Sequence, residues 1–133
     1  MATFHLQIVT PDRMLYDAQA ERIIVRTVTG DVCILAHHID YAAPLGIGEA
    51  RVTDEEGNVR VAACSGGMLS VSGNVVRVIA TTFEWAEDID IDRAQKAQEA
   101  ALQKLSQLQR GDFDYAAVQA KLKRAMNRIQ VKG

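Results

Sequence analysis

The stretch Glu84-Trp85-Ala86-Glu87-Asp88-Ile89-Asp90-Ile91-Asp92-Arg93-Ala94 divides this chain into two patterns. Before it, apolar and polar residues alternate and Gly-centred turns interrupt them, as in half-buried strands. After it, apolar residues recur at spacings of three and four, as in amphipathic helices. From Ile89 to Val131 there is no proline and a single glycine, Gly111. The expectation is a β domain over residues 1–86 followed by an antiparallel two-helix hairpin over residues 87–133.

Working back from the divide, Phe4, Leu6 and Ile8 alternate with His5, Gln7 and Val9. This is a first strand, stopped at Pro11, whose fixed φ and missing N–H end a ladder. Leu15 and Tyr16 precede a β-branched strand, Ile23 to Val28, closed by Thr29-Gly30-Asp31. Cys33-Ile34-Leu35 reads as a short strand before His37-His38. Gly46 and Gly48 mark a bend or a close packing site. Glu55-Glu56-Gly57-Asn58 and Ser72-Gly73-Asn74 read as hairpin turns, and Gly66-Gly67 as a break between strands. Many short strands at regular spacing point to an antiparallel sandwich or barrel.

Working forward, Asp88 or Asp90 caps a first helix that runs to about Leu108. Its stripe is Ala94, Ala97, Ala101, Leu105 and Leu108. Gly111 is expected as its C-terminal stop. Asp112 or Asp114 caps a second helix running to about Ile129, with Val118, Leu122, Ala125, Met126 and Ile129 as its stripe. Facing alanines let two axes approach closely but bury little area, at roughly 25 cal/mol per Å². Such a hairpin is weakly held and open to more than one arrangement.

Composition excludes several functions. The net charge is −2 over 133 residues, so the whole chain is not a nucleic-acid binder by charge. Acids dominate Glu84–Asp92, whereas after Asp114 every charged residue is a base: Lys121, Lys123, Arg124, Arg128 and Lys132. Cys33 and Cys64 lack CxxC spacing, which speaks against a zinc site or disulfide framework and for two buried free thiols. With no leader before Phe4 and no apolar run of transmembrane length, the chain is expected to be intracellular, reaching a membrane only through a partner.

No catalytic residues or metal ligands are expected. There is no phosphate-binding P-loop, and Gly46-Ile47-Gly48 lacks the third glycine of a dinucleotide fingerprint. His37-His38 has no acidic or thiol partner at ligand spacing and suits a turn or an interface. Ser65, Ser70 and Ser72 lie in no nucleophile elbow. An enzyme built around His37-His38 would have no acid–base pair. A nucleic-acid module using the basic second helix would sit beside the acidic Glu84–Asp92 stretch in a chain with 5% aromatic residues. The balance favours a regulator.

Asp90 and Arg93 stand apart. At 100° per residue Asp90 falls on the stripe of Ala94, Ala97 and Ala101, where a carboxylate is costly unless paired. One reading makes it a helix cap favoured by the dipole. The other places a polar site between the helices. Lys121, Arg124 and Arg128 share one face at i, i+3 and i+7. In an antiparallel hairpin Arg124 and Arg128 approach Asp90 and Arg93. Converging guanidinium groups invite polyanionic phosphate, and the carboxylate a sugar hydroxyl or an adenine amine.

These residues complete a resemblance to the epsilon subunit family of bacterial F-type ATP synthases. Leu6-Gln7-Ile8-Val9-Thr10-Pro11-Asp12-Arg13 resembles that family's opening strand and turn. Gly30-Asp31-Val32-Cys33-Ile34-Leu35-Ala36-His37-His38 resembles its Gly-x-x-Gly-Ile-Leu-Pro-x-His segment, with Cys33 and Ala36 where glycine and proline are usual. Leu45 to Gly48, Ser65-Gly66-Gly67-Met68-Leu69 and Asn74-Val75-Val76 continue it in order. Ile89-Asp90-Ile91-Asp92-Arg93-Ala94 carries its Ile/Leu-Asp-x-x-Arg-Ala motif, and Lys123-Arg124-Ala125-Met126-Asn127-Arg128 its second-helix segment.

The resemblance implies an N-terminal β-sandwich of about ten strands and a C-terminal helical hairpin. It implies a central-stalk rotor subunit that couples proton flow to ATP synthesis on the cytoplasmic face of the cell membrane. The sandwich would bind the gamma subunit and the membrane rotor ring. The hairpin would switch between a folded and an extended state, and when extended inhibit hydrolysis by the alpha/beta catalytic head. Its basic face of Lys121, Lys123, Arg124 and Arg128 would meet that head. ATP is implied as a regulatory ligand of the folded hairpin, held by Ile89, Asp90, Arg93, Ala94, Arg124 and Arg128, with Glu84 as a further contact. Whether Mg²⁺ joins it stays open. So does the alternative of a rotor subunit that binds no ATP.

Overall fold

The computed structural model describes residues 2–133, which form two compact units meeting between Trp85 and Ala86. The first contains seven strands: β1 (Phe4–Val9), β2 (Met14–Thr27), β3 (Gly30–Leu35), β4 (Tyr41–Pro44), β5 (Ile47–Asp54), β6 (Val59–Ser72) and β7 (Val75–Trp85). The second contains a short 3₁₀ turn (Ala86–Asp88) and two helices, α1 (Ile91–Ser106) and α2 (Tyr115–Lys132).

The expected ten strands are segments of these seven. The N-terminal half of β2 pairs with β1 up to Ala20, and its C-terminal half pairs with β3 and β5. β6 pairs with β5 through Ser65 and with β4 from Met68. β7 lies beside β6 throughout but beside β1 only from Val75 to Ile79. Divided where they change partners, these three strands supply two five-membered layers. One runs β2–β1–β7–β6–β4, the other β3–β2–β5–β6–β7.

Long strands that cross between layers explain two corrections. The segment read as Ile23–Val28 is the second half of a single 14-residue strand. Gly66-Gly67 does not break the chain but lies inside β6, at the point where the strand exchanges β5 for β4. Both glycines have positive φ, 70° and 102°. A side chain at Gly67 would overlap the Ile79 carbonyl oxygen, so only glycine turns this corner. Leu45 N–H donates to Gly67 O at 2.9 Å and Gly66 N–H to Gly46 O at 3.3 Å, tying the expected Gly46 bend to the same corner.

The sandwich is antiparallel with one exception. β1 and β7, the first and last strands, run parallel. Parallel neighbours need a long crossover, and here the remaining strands supply it. Period-2 burial is clean in β1, where Phe4, Leu6 and Ile8 are fully buried. They join Ile23, Val25, Ile34, Leu69, Val76 and Val78 in one apolar core. Cys64 belongs to that core, and burial pushes its thiol up to about 12. Cys33, expected to be buried, is exposed, because on the edge strand β3 it alternates with buried Ile34.

His37-His38 sits in the turn after β3, with His37 at φ 64°. The His37 N–H donates to Asn74 Oδ1 at 2.7 Å, and Asn74 Nδ2 donates to Thr3 O at 3.0 Å. Asn74, itself at φ 63° between β6 and β7, thus ties three segments at one end of the sandwich.

Candidate functional site

The hairpin begins where Asp90, extended at φ −85° and ψ 103°, accepts the Arg93 N–H on Oδ1 at 3.1 Å. That bond satisfies one of the orphan donors of the first turn. The capping reading of Asp90 therefore holds. Its carboxylate is exposed and turned to its own helix end. Ile89 (3% exposed) and Ala94 (1% exposed) occupy N′ and N4 around this cap, the two positions of a hydrophobic staple. Helix initiation thus accounts for three of the four lettered positions in Ile-Asp-x-x-Arg-Ala. Arg93 is exposed and has no such structural explanation.

α1 ends at Ser106, short of Leu108, and Gly111 is not its stop. The cap residue is Gln107 in a right-handed conformation, and Gly111 follows in an exposed loop without positive φ. There Asp112 Oδ2 accepts the Gln109 N–H at 2.7 Å. Asp114 stands at the N-cap of α2 without a side-chain capping bond. α2 continues past Ile129 to Lys132, whose Nζ donates to Ala86 O at 3.0 Å. That bond holds the end of α2 beside the start of α1.

Between the helices lies a groove of about 360 Å³. α1 contributes Ala97, Ala100, Ala101 and Lys104, and α2 contributes Val118, Lys121, Arg124 and Arg128. The floor is made of small residues because the seam is alanine-rich: Ala94, Ala101 and Ala125 are buried, with Val118. Four of the eight lining residues are cationic and none is acidic. Like charges converging on an apolar floor repel one another and favour an anion between them, phosphate above all for guanidinium groups.

The groove unites Lys121, Arg124 and Arg128, as their spacing predicts. It adds Lys104, which sequence reasoning missed although Lys104 lies a turn beyond Ala100 and Ala101 on the same face. Asp90 and Arg93 are not among its lining residues. Lys123 is exposed on another face of α2 and is not a lining residue either. Glu84 is half-buried in β7, opposite Ala63 of β6. Among the described residues no cluster of three or more metal-ligating side chains occurs, and no helix is long and apolar enough to cross a membrane.

Comparison with known proteins gives a consistent pattern. Residues 3–86 match the family described as ATP synthase, Delta/Epsilon chain, beta-sandwich domain. Residues 87–133 match the ATP synthase, Delta/Epsilon chain, long alpha-helix domain. The chain is 39% identical over 129 residues to the ATP synthase epsilon chain of Caldanaerobacter subterraneus subsp. tengcongensis, covering 97% of this chain and 93% of that one. It is 41% identical over 133 residues to that of Bacillus velezensis, covering 100% and 99%. Among solved structures, a chain of the Euglena gracilis mitochondrial ATP synthase, in an OSCP/F1/c-ring assembly, superposes with a TM-score of 0.81 at 25% identity, over 96% of this chain and 79% of that one.

Proposed function

This chain belongs to the ATP synthase delta/epsilon chain family, as an epsilon-type central-stalk subunit that is regulatory and structural rather than catalytic, and from that premise we propose that its hairpin is an ATP-responsive brake on ATP hydrolysis. The observation that carries the proposal is the cationic, alanine-floored groove. It exists only while the two helices are folded against each other, so an anion bound there stabilises the folded hairpin. A ligand that binds one state alone stabilises it by about 2.7 kcal/mol at a hundredfold excess over Kd.

In this reading the phosphates of ATP lie among Arg124, Arg128 and Lys121, and the nucleoside lies toward Asp90 and Arg93. Ile89 and Ala94 set the helix start that positions both. When ATP is scarce the arm is released. Its basic face (Lys121, Lys123, Arg124 and Arg128) then meets an acidic surface of the alpha/beta catalytic head, with salt-sensitive steering. Three of these cations also line the groove, so nucleotide and catalytic head compete for the same charges. The β unit is the part proposed to bind the gamma subunit and the rotor ring, bringing the chain peripherally to the membrane where ion flow drives synthesis. The F1/c-ring setting of the Euglena neighbour supports that assignment.

The test is calorimetric titration of ATP into the full chain. Asp90→Ala is a poor probe, because it removes the cap together with any ligand contact. Asp90→Ser keeps a capping oxygen and removes the charge. Saturable ATP binding that weakens at least about tenfold in both Arg124→Gln and Arg93→Gln supports the site. Unchanged affinity in both variants refutes it.

A further inference from the structure

Resting on that nucleotide reading, we infer that Lys104 is the residue by which the groove measures phosphate-chain length, and so distinguishes a nucleoside triphosphate from a diphosphate. Three of the groove's cations, Lys121, Arg124 and Arg128, belong to α2; Lys104 is the only one that α1 supplies.

Helical side chains lean toward the N-terminus of their own helix. The helices are antiparallel, with the end of α2 tied to the start of the hairpin through Lys132 and Ala86. Lys104 therefore leans away from the loop, back over Ala100 and Ala101. Arg128, Arg124 and Lys121 lean the opposite way, toward the loop. The four cations approach the alanine floor from two ends. Along α1, Lys104 lies about 21 Å from Asp90 at 1.5 Å per residue, less about one turn for its backward lean. A nucleoside anchored near Asp90 and Arg93 sends its phosphates past Arg128 and Arg124 first. Lys104 is the last cation reached, and only the terminal phosphate of the longer chain extends to it.

The placement has a mechanical consequence. A phosphate held by α2 cations alone does not join the helices at the loop end. A phosphate held by Lys104 together with Lys121 bridges α1 and α2 there, across the floor of Ala100, Ala101 and Val118. Triphosphate then clamps the hairpin, and diphosphate occupies the groove without clamping it.

Lys104 is exposed and outside the seam, so Lys104→Gln leaves the fold intact. Calorimetry with ATP and ADP, paired with far-UV thermal melts, tests the inference. In Lys104→Gln the ATP Kd is expected to rise about tenfold, the worth of one charge-assisted hydrogen bond, while the ADP Kd moves less than about twofold. The extra thermal protection given by ATP over ADP disappears, and Lys104→Arg restores it. Equal weakening of ATP and ADP overturns the length discrimination while leaving the nucleotide site in place. Wild-type protein that binds neither nucleotide overturns the inference together with the reading beneath it.

Discussion

The two units of this chain solve opposite problems with different side chains. The β unit buries Phe4, Leu6, Ile8, Ile23, Ile34 and Leu69 completely. The hairpin's seam is built on Ala94, Ala101, Val118, Ala125 and Val131. At roughly 25 cal/mol per Å² the first set removes about twice as much apolar surface from water per residue as the second. A large-residue core makes a fixed platform. An alanine-rich seam brings helices close enough to form a groove while burying less apolar area. Stability is concentrated in the part proposed to dock, and is withheld from the part proposed to switch.

The largest test of this contrast sets one residue of each unit against the other. Phe4→Ala is expected to destabilise the β unit by about 3–5 kcal/mol in denaturant unfolding followed by Trp85 fluorescence. Ala101→Gly is expected to lower the stability of α1 by only about 1 kcal/mol, read by far-UV dichroism without a shift of the fluorescence transition. Equal costs, or a single shared transition, would break the comparison.

A smaller effect sharpens it within the hairpin. Asp90→Ala removes the side-chain bond to the Arg93 N–H and is expected to cost about 1 kcal/mol of helix stability, which Asp90→Ser recovers. A thermal melt unchanged by either substitution would mean that the cap does not hold the helix start.

The smallest effect is chemical. Cys33 is exposed and Cys64 buried, with its pKa raised by desolvation from 9.0 to about 12. A thiol reagent at neutral pH is expected to label one cysteine in the native protein and two in denaturant. In the unfolded chain Cys64 ionises at a lower pH than in the folded one. Its contribution is therefore fully present below about pH 9 and is lost as the pH rises toward 12. Rapid labelling of both thiols in native protein would show that the β unit opens as readily as the hairpin.

Legibility in the sequence followed the range of the forces involved. Alternation in Phe4–Val9, the turns at Gly57 and Gly73-Asn74, and the helical stripes all act over a few residues and appear where expected, except that Leu108 lies beyond the end of α1 and Met126 is exposed. The glycine pair at 66 and 67 looked like an interruption because glycine usually punctuates. Only the pairing of β6 with β5 on one side and β4 on the other reveals a corner that a continuous strand must turn. Gly111 misled for the converse reason: α1 had already ended at Ser106, with no left-handed residue required. Lys104 was missed because a lysine on a helix of mixed charge carries no signal until the facing helix is in place.

The sequence by itself determined the division near Trp85, the β-then-helix order, the family, and the basic face of the second helix, since periodicity, local turn chemistry and charge spacing are written along one dimension. The tertiary structure decided the rest. It made the first and last strands parallel neighbours, folded seven strands into ten segments, and gathered Lys104, Lys121, Arg124 and Arg128 around one groove. Each of these depends on which distant backbone lies alongside, and that is settled by packing and hydrogen-bond closure over the whole unit.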